Sequence, residues 1–242
     1  MSFSSSLRRI ESMYYLCHAF IIPLIVMGLS LDLVGQDWAN LERFQKENLS
    51  LNAPSSGESR VVLMGNSITE GWPKFYPEFF ESPQYIARGI SGQTTPQMLL
   101  RFRQDVIDLE PDVVVILAGT NDIAGNTGPM TLVEIHGYIV SMCELAHANE
   151  INIVLSSVLP AYEYPWKKEV QPAEQIVELN KMLQKYALAN GITYLDYFTH
   201  MADRKNSLKE KYTYDGVHPN RAGYIKMSEL LKQALKEASK RP

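Results

Sequence analysis

Five short apolar runs, separated by stretches with helical spacing, restrict this chain to folds built on a sheet buried on both faces. The strongest run is Val113 to Leu117 (VVVIL), β-branched and bounded by Pro111 and Gly119. Val61-Val62-Leu63-Met64 comes earlier and ends at Gly65, and Tyr85-Ile86-Ala87 is weaker. Ile151 to Leu155 and Ile192 to Leu195 complete the set. Near-continuous apolar strands are what a parallel sheet covered by helices requires. The intervening segments supply those helices. Thr95 to Leu109 places Met98, Leu99, Phe102, Val106 and Leu109 at helical spacing, and Leu132 to Asn149 forms another pattern. Glu174 to Asn190 carries Ile176, Leu179, Leu183, Tyr186 and Ala187 on one face, between Pro172 and Gly191. Such punctuation marks both ends of a helix. Arg221 to Ala238 carries Tyr224, Met227, Leu231, Ala234 and Leu235. Asp37 to Leu51 reads as a short polar helix. The expectation is an α/β fold, a three-layer α/β/α sandwich around a mostly parallel five-stranded sheet.

In such a sheet, functional loops lie at the carboxyl ends of the strands. Gly65-Asn66-Ser67-Ile68-Thr69-Glu70-Gly71-Trp72 follows the first run, and Arg88-Gly89-Ile90-Ser91-Gly92-Gln93-Thr94 follows the second. Gly119-Thr120-Asn121-Asp122 follows the third, and Asp215-Gly216-Val217-His218-Pro219-Asn220 precedes the last helix.

In this order, over roughly Arg60 to Tyr224, the four segments resemble the four signature blocks of the SGNH (GDSL-type) serine hydrolases, including their acetylhydrolase-like bacterial members. The resemblance implies a flavodoxin-like sandwich and ester hydrolysis with no cofactor and no metal. It also implies Ser67 as nucleophile, Gly92 and Asn121 as oxyanion donors, and Asp215 and His218 as the rest of a triad. One position departs: the family's first block usually has Asp before the serine, and here Asn66 stands there.

The residue chemistry agrees. A serine hydroxyl needs a base to become a nucleophile, and histidine is the natural base near neutral pH. Asp215 precedes His218 by three positions, so one turn brings its carboxylate to the ring. There it fixes the tautomer and stabilises the imidazolium. A glycine N–H, an asparagine amide and the N–H of Ser67 at a helix start can serve the oxyanion. Loss of one such donor typically costs about 3–4 kcal/mol of transition-state stabilisation.

Plainer readings exist for each segment. Ser67-Ile68-Thr69-Glu70 fits a capping box, and Asn121-Asp122 fits an N-cap. Gly92 fits a tight turn, and Asp215-Gly216 with His218 before Pro219 fits an exposed turn. Their joint occurrence favours the catalytic reading. Trp72, Tyr162, Tyr164 and Trp166 are candidate substrate-binding residues, with packing beneath a long loop as the alternative. His136, His147 and His200 lack zinc-site spacing, and Gly65 to Gly71 lacks the Lys-Ser/Thr of a P-loop.

The function expected is removal of short acyl groups, acetyl first, from a small-molecule or carbohydrate ester. A lysophospholipase or thioesterase acting on longer chains is the alternative enzyme, and a catalytically silent carbohydrate-binding protein the alternative of another class. A net charge of −4 and the absence of a long basic run argue against a nucleic-acid partner. Oligomeric state is not legible.

The first residues follow a different logic. Arg8 and Arg9 precede an apolar stretch from about Met13 to Val34. That pattern reads as a secretory signal over residues 1–35, ahead of a hydrolase domain at 36–242. The stretch also approaches the roughly 20 residues of a spanning helix, so an uncleaved anchor, and with it a membrane association, stays open. Either way the expected location is secreted or periplasmic. Cys17 lies in this segment, so the domain holds Cys143 alone and must stand on its core.

Overall fold

The computed structural model describes residues 37–238 apart from 55, 56 and 58. The expected signal or anchor over residues 1–35 lies outside the described residues, and the fold belongs to the unit Trp38–Pro242.

The apolar runs become β1 (Val61–Gly65), β2 (Tyr85–Gly89), β3 (Val113–Ile116), β4 (Asn152–Ser156) and β5 (Thr193–Leu195). All pair in parallel, in the order β2-β1-β3-β4-β5. The helices are α1 (Gln45–Ser50), α2 (Ser67–Phe75), α3 (Thr95–Asp105) and α4 (Thr120–Ile123). They continue with α5 (Leu132–Ala148), α6 (Pro172–Ala189), α7 (Tyr197–Met201) and α8 (Arg221–Ala238).

The two-residue period of a strand sorts the core into two layers. Val62, Met64, Val114, Ile116, Ile153 and Leu155 face one side, against Met98 and Phe102 of α3, Ile135 and Ile139 of α5, and Leu179 and Leu183 of α6. Val61, Leu63, Val113, Val115 and Leu195 face the other, against Ile68 and Trp72 of α2, Met201 of α7, and Tyr224, Met227 and Leu231 of α8. The result is the three-layer α/β/α sandwich with a five-stranded parallel sheet.

Two helical expectations shift. The pattern over 95–109 breaks at Val106, whose backbone leaves helical space (φ −132°, ψ −66°). Ile107–Leu109 then form a 3-10 turn ending at Glu110 (φ 49°), which redirects the chain through Pro111 into β3. The polar helix expected over 37–51 is a 3-10 turn at Leu41–Phe44 followed by α1. Phe44 is buried there, with the guanidinium of Arg88 4.7 Å from its ring centroid.

Candidate active site

The strand order fixes where a site can form. The connections from β1 and β3 leave in opposite directions, opening a crevice at the carboxyl ends of these neighbouring strands. Ser67 follows β1 and Asn121 follows β3.

Asn66, not Ser67, caps α2: its Oδ1 accepts the Ile68 amide at 3.2 Å. An amide oxygen is enough for that bond, so the missing carboxylate of the usual Asp costs no cap. Ser67 is the first helical residue, and its hydroxyl is directed elsewhere. Glu70 accepts the Ser91 amide at 3.0 Å instead of closing a capping box. Close approach of backbones sets this corner. A Cβ on Gly89 would lie 2.2 Å from the Glu70 nitrogen and 2.7 Å from the Asn66 oxygen. Glycine alone lets β2 end against the start of α2.

Ser67 Oγ lies 3.0 Å from His218 Nε2, and His218 Nδ1 lies 2.6 Å from Asp215 Oδ2. The second carboxylate oxygen accepts the amides of Val217 (2.9 Å) and His218 (2.7 Å). Partial burial pushes the Asp215 carboxyl up, but hydrogen bonds from the His218 amide and ring and from the Val217 amide outweigh it, and the net shift is downward. The aspartate is therefore held ionised beside the imidazole. Thr213 shapes the loop, donating from Oγ1 to the His218 carbonyl at 2.7 Å and accepting the Gly216 amide at 2.9 Å.

The second and third segments interlock. Asn121 Nδ2 donates to the Gln93 carbonyl at 2.9 Å, and Asn126 Nδ2 donates to the Gly92 carbonyl at 3.1 Å. Asp122 Oδ1 accepts both the amide and the hydroxyl of Thr95. The short α4 begins at Gly119 without a side-chain cap, so Asn121-Asp122 is no N-cap of its own helix. Gly92 has φ +78°, in the left-handed region that favours glycine.

The aromatic candidates divide. Trp72 is 1% exposed, stacks on Phe79 at 5.4 Å and tilts against Tyr224 at 5.6 Å. It is a core residue, and the substrate-binding expectation for it is corrected. Tyr164 is also fully buried, its ring stacked on Trp166 at 5.0 Å. It supports Trp166 from beneath and has no surface to offer a substrate, so that expectation is corrected too. Trp166 (43% exposed) and Tyr162 (57% exposed) remain open to solvent. Trp166 lies 5.8 Å from the His218 ring, and Tyr162 lines a cleft of about 500 Å³ with Glu163, Tyr214 and Asp215. Tyr214 is a rim residue that sequence reasoning missed: its ring is 5.8 Å from His218 and nearly parallel to it. Its position next to Asp215 was the available signal. Among the described residues, no group of three or more His, Cys, Asp and Glu is gathered as for a metal ion.

Known proteins resemble this chain over most of the described residues. A family model described as the GDSL-like lipase/acylhydrolase family matches residues 63–225. The chain is 48% identical to a Bacteroides fragilis protein of known structure assigned as an acylhydrolase, covering 84% of this chain and 98% of that one (TM-score 0.82). It is 50% identical to a GDSL-like lipase of Bacteroides thetaiotaomicron, covering 83% and 98% (TM-score 0.80). It is also 26% identical over 223 residues to an acetylxylan esterase of Xylanibacter ruminicola. That match takes in 77% of this chain and 45% of the relative, so the chain spans less than half of that protein's length.

Proposed function

The chain belongs to the GDSL-like lipase/acylhydrolase family, and from that premise we propose that it is a serine carboxylic ester hydrolase working through an acyl-enzyme on Ser67. The observation that carries the reading is the continuous contact Ser67–His218–Asp215, which joins residues 151 positions apart. His218 Nε2 takes the Ser67 proton as Oγ attacks the ester carbonyl carbon. The carbonyl π electrons move to oxygen, where the Gly92 N–H, Ser67 N–H and Asn121 Nδ2 receive the charge. Collapse of the tetrahedral species breaks the bond to the alcohol oxygen, which takes the proton from His218. Water then attacks the acyl carbon by the same route, releasing the acid and restoring Ser67. Asp215 stays ionised throughout and holds the ring with Nδ1–H toward itself.

The acyl group proposed is short, acetyl first, and the alcohol a carbohydrate hydroxyl. The acetylxylan esterase likeness supports this, as do the exposed faces of Tyr162, Trp166 and Tyr214 beside the triad. Aromatic faces with an apolar body and a polar edge suit sugar rings. Export through the Arg8–Val34 segment is proposed with it, on the sequence pattern alone.

The test is hydrolysis of p-nitrophenyl esters of increasing acyl length, then of acetylated xylo-oligosaccharides, beside Ser67→Ala. The expected result is best cleavage of acetate and a loss of roughly 10³-fold or more in the variant. Preference for long chains would replace the acetyl reading with a lipase-like one. Equal inactivity of folded wild type and variant on every ester would end the catalytic assignment.

A further inference from the structure

A buried guanidinium stands behind the oxyanion donors, and the chemistry above makes no use of it. Arg101 of α3 is fully buried, and all three of its nitrogens are engaged. Nη1 donates to Asp105 at 3.0 Å, and Nη2 donates to the carbonyls of Gly65 (2.8 Å) and Arg88 (2.9 Å). Nε donates to the side-chain oxygen of Gln93. Gly65 ends the strand that delivers Ser67, and Arg88 lies at the end of the strand that delivers Gly92. One planar cation therefore ties both strand ends to Gln93.

Gln93 carries the connection onward. It is 4% exposed, its Nε2 donates to the Ala39 carbonyl, and its own carbonyl accepts Asn121 Nδ2. An asparagine amide has two N–H groups in one plane. Holding one against a fixed carbonyl aims the other.

We infer that Gln93, anchored by Arg101, is the positioning residue of the oxyanion site: it fixes the Gln93–Thr94 peptide, whose carbonyl holds Asn121 Nδ2, and through it the direction of the Asn121 amide. The inference rests on the proposed role of Gly92 and Asn121 as oxyanion donors. It predicts coupling between Gln93 and Asn121 in the rate of the chemical step, which a purely structural network would not give. Misdirecting a donor weakens the transition state more than the ground state, so kcat falls while KM holds.

The experiment is a double-mutant cycle on p-nitrophenyl acetate with Gln93→Ala, Asn121→Ala and the pair, with thermal unfolding of each variant. Gln93→Ala leaves room for water to serve Arg101 and Ala39, and Gln93→Asn replaces it should that variant not fold. Gln93→Ala is expected to lower kcat by about 10-fold or more with KM within about threefold, and Asn121→Ala by about 100-fold. In the Asn121→Ala background, Gln93→Ala should cost less than about twofold. Full additivity, or an unchanged kcat in Gln93→Ala, overturns the positioning role while leaving the oxyanion assignment intact. An unchanged kcat in Asn121→Ala removes that assignment and the inference with it.

Discussion

Asp122 Oδ1 accepts the Thr95 amide at 2.8 Å and the Thr95 hydroxyl at 2.6 Å, so a residue of α4 caps α3 across the crevice. Burial raises the Asp122 pKa despite these bonds. A carboxyl with a raised folded pKa favours the native state most in acid. That contribution is lost as pH rises from the ordinary carboxylate value through the folded one. Asn at this position keeps an oxygen for Thr95 and removes the charge. The stability of Asp122→Asn relative to wild type should therefore increase across that window and then level off. Urea unfolding at stepped pH measures it, and a difference that shrinks as pH rises would reverse the sign.

Asp215 carries the opposite shift. Its folded pKa is lowered, so its stabilising contribution is present above the ordinary carboxylate value and is lost as pH falls through the lowered one. Asp215→Asn should be less stable than wild type near neutrality, with a gap that closes in acid. Its amide would also face His218 Nδ1 where an acceptor is needed. kcat is expected to fall roughly 10³–10⁴-fold through the wrong tautomer. Stopped ester assays and denaturant melts on one preparation separate the two effects.

The sheet was legible because burial on both faces leaves a local mark, runs such as Val113 to Leu117, that any window reveals. Three of the candidate site segments were legible because they sit directly after those runs, and the fourth because it directly precedes the last helical pattern. What was not legible depends on which way a side chain points. Trp72 lies four residues after Ile68, on the α2 face turned to the sheet, and that spacing was the overlooked sign of its burial. Arg101 and Asp105 share the buried stripe of α3 with Met98 and Phe102, at helical spacing. Charged side chains ordinarily face solvent, and burial of these two is made tolerable by the pairing of Arg101 with Asp105, Gln93 and two carbonyls and by the Asn48 amide on Asp105.

The division among the aromatic residues can be read out directly. Trp72→Ala removes a side chain packed on Phe79, Phe80 and Tyr224 and should cost about 3–5 kcal/mol of stability. Trp166→Ala removes a ring that is 43% exposed and should cost much less. It should instead raise KM for acetylated xylo-oligosaccharides. Loss of stability in Trp166→Ala comparable to that in Trp72→Ala would make it a packing residue as well.

Asn66 offers the sharpest separation of helix capping from nucleophile chemistry, because the cap and the proposed nucleophile are adjacent residues with different partners. Asn66 Oδ1 holds the Ile68 amide, while Ser67 Oγ faces His218. Asn66→Ala should lose about 1 kcal/mol of stability through the cap, and Ser67→Ala should unfold close to wild type while losing catalysis. Were Ser67 the cap, the order would reverse, with Ser67→Ala the less stable protein. Denaturant melts of the two variants beside their rates on p-nitrophenyl acetate decide between these outcomes. The Asn66 cap predicts the stability loss at 66, and the proposed role of Ser67 predicts the larger rate loss at 67.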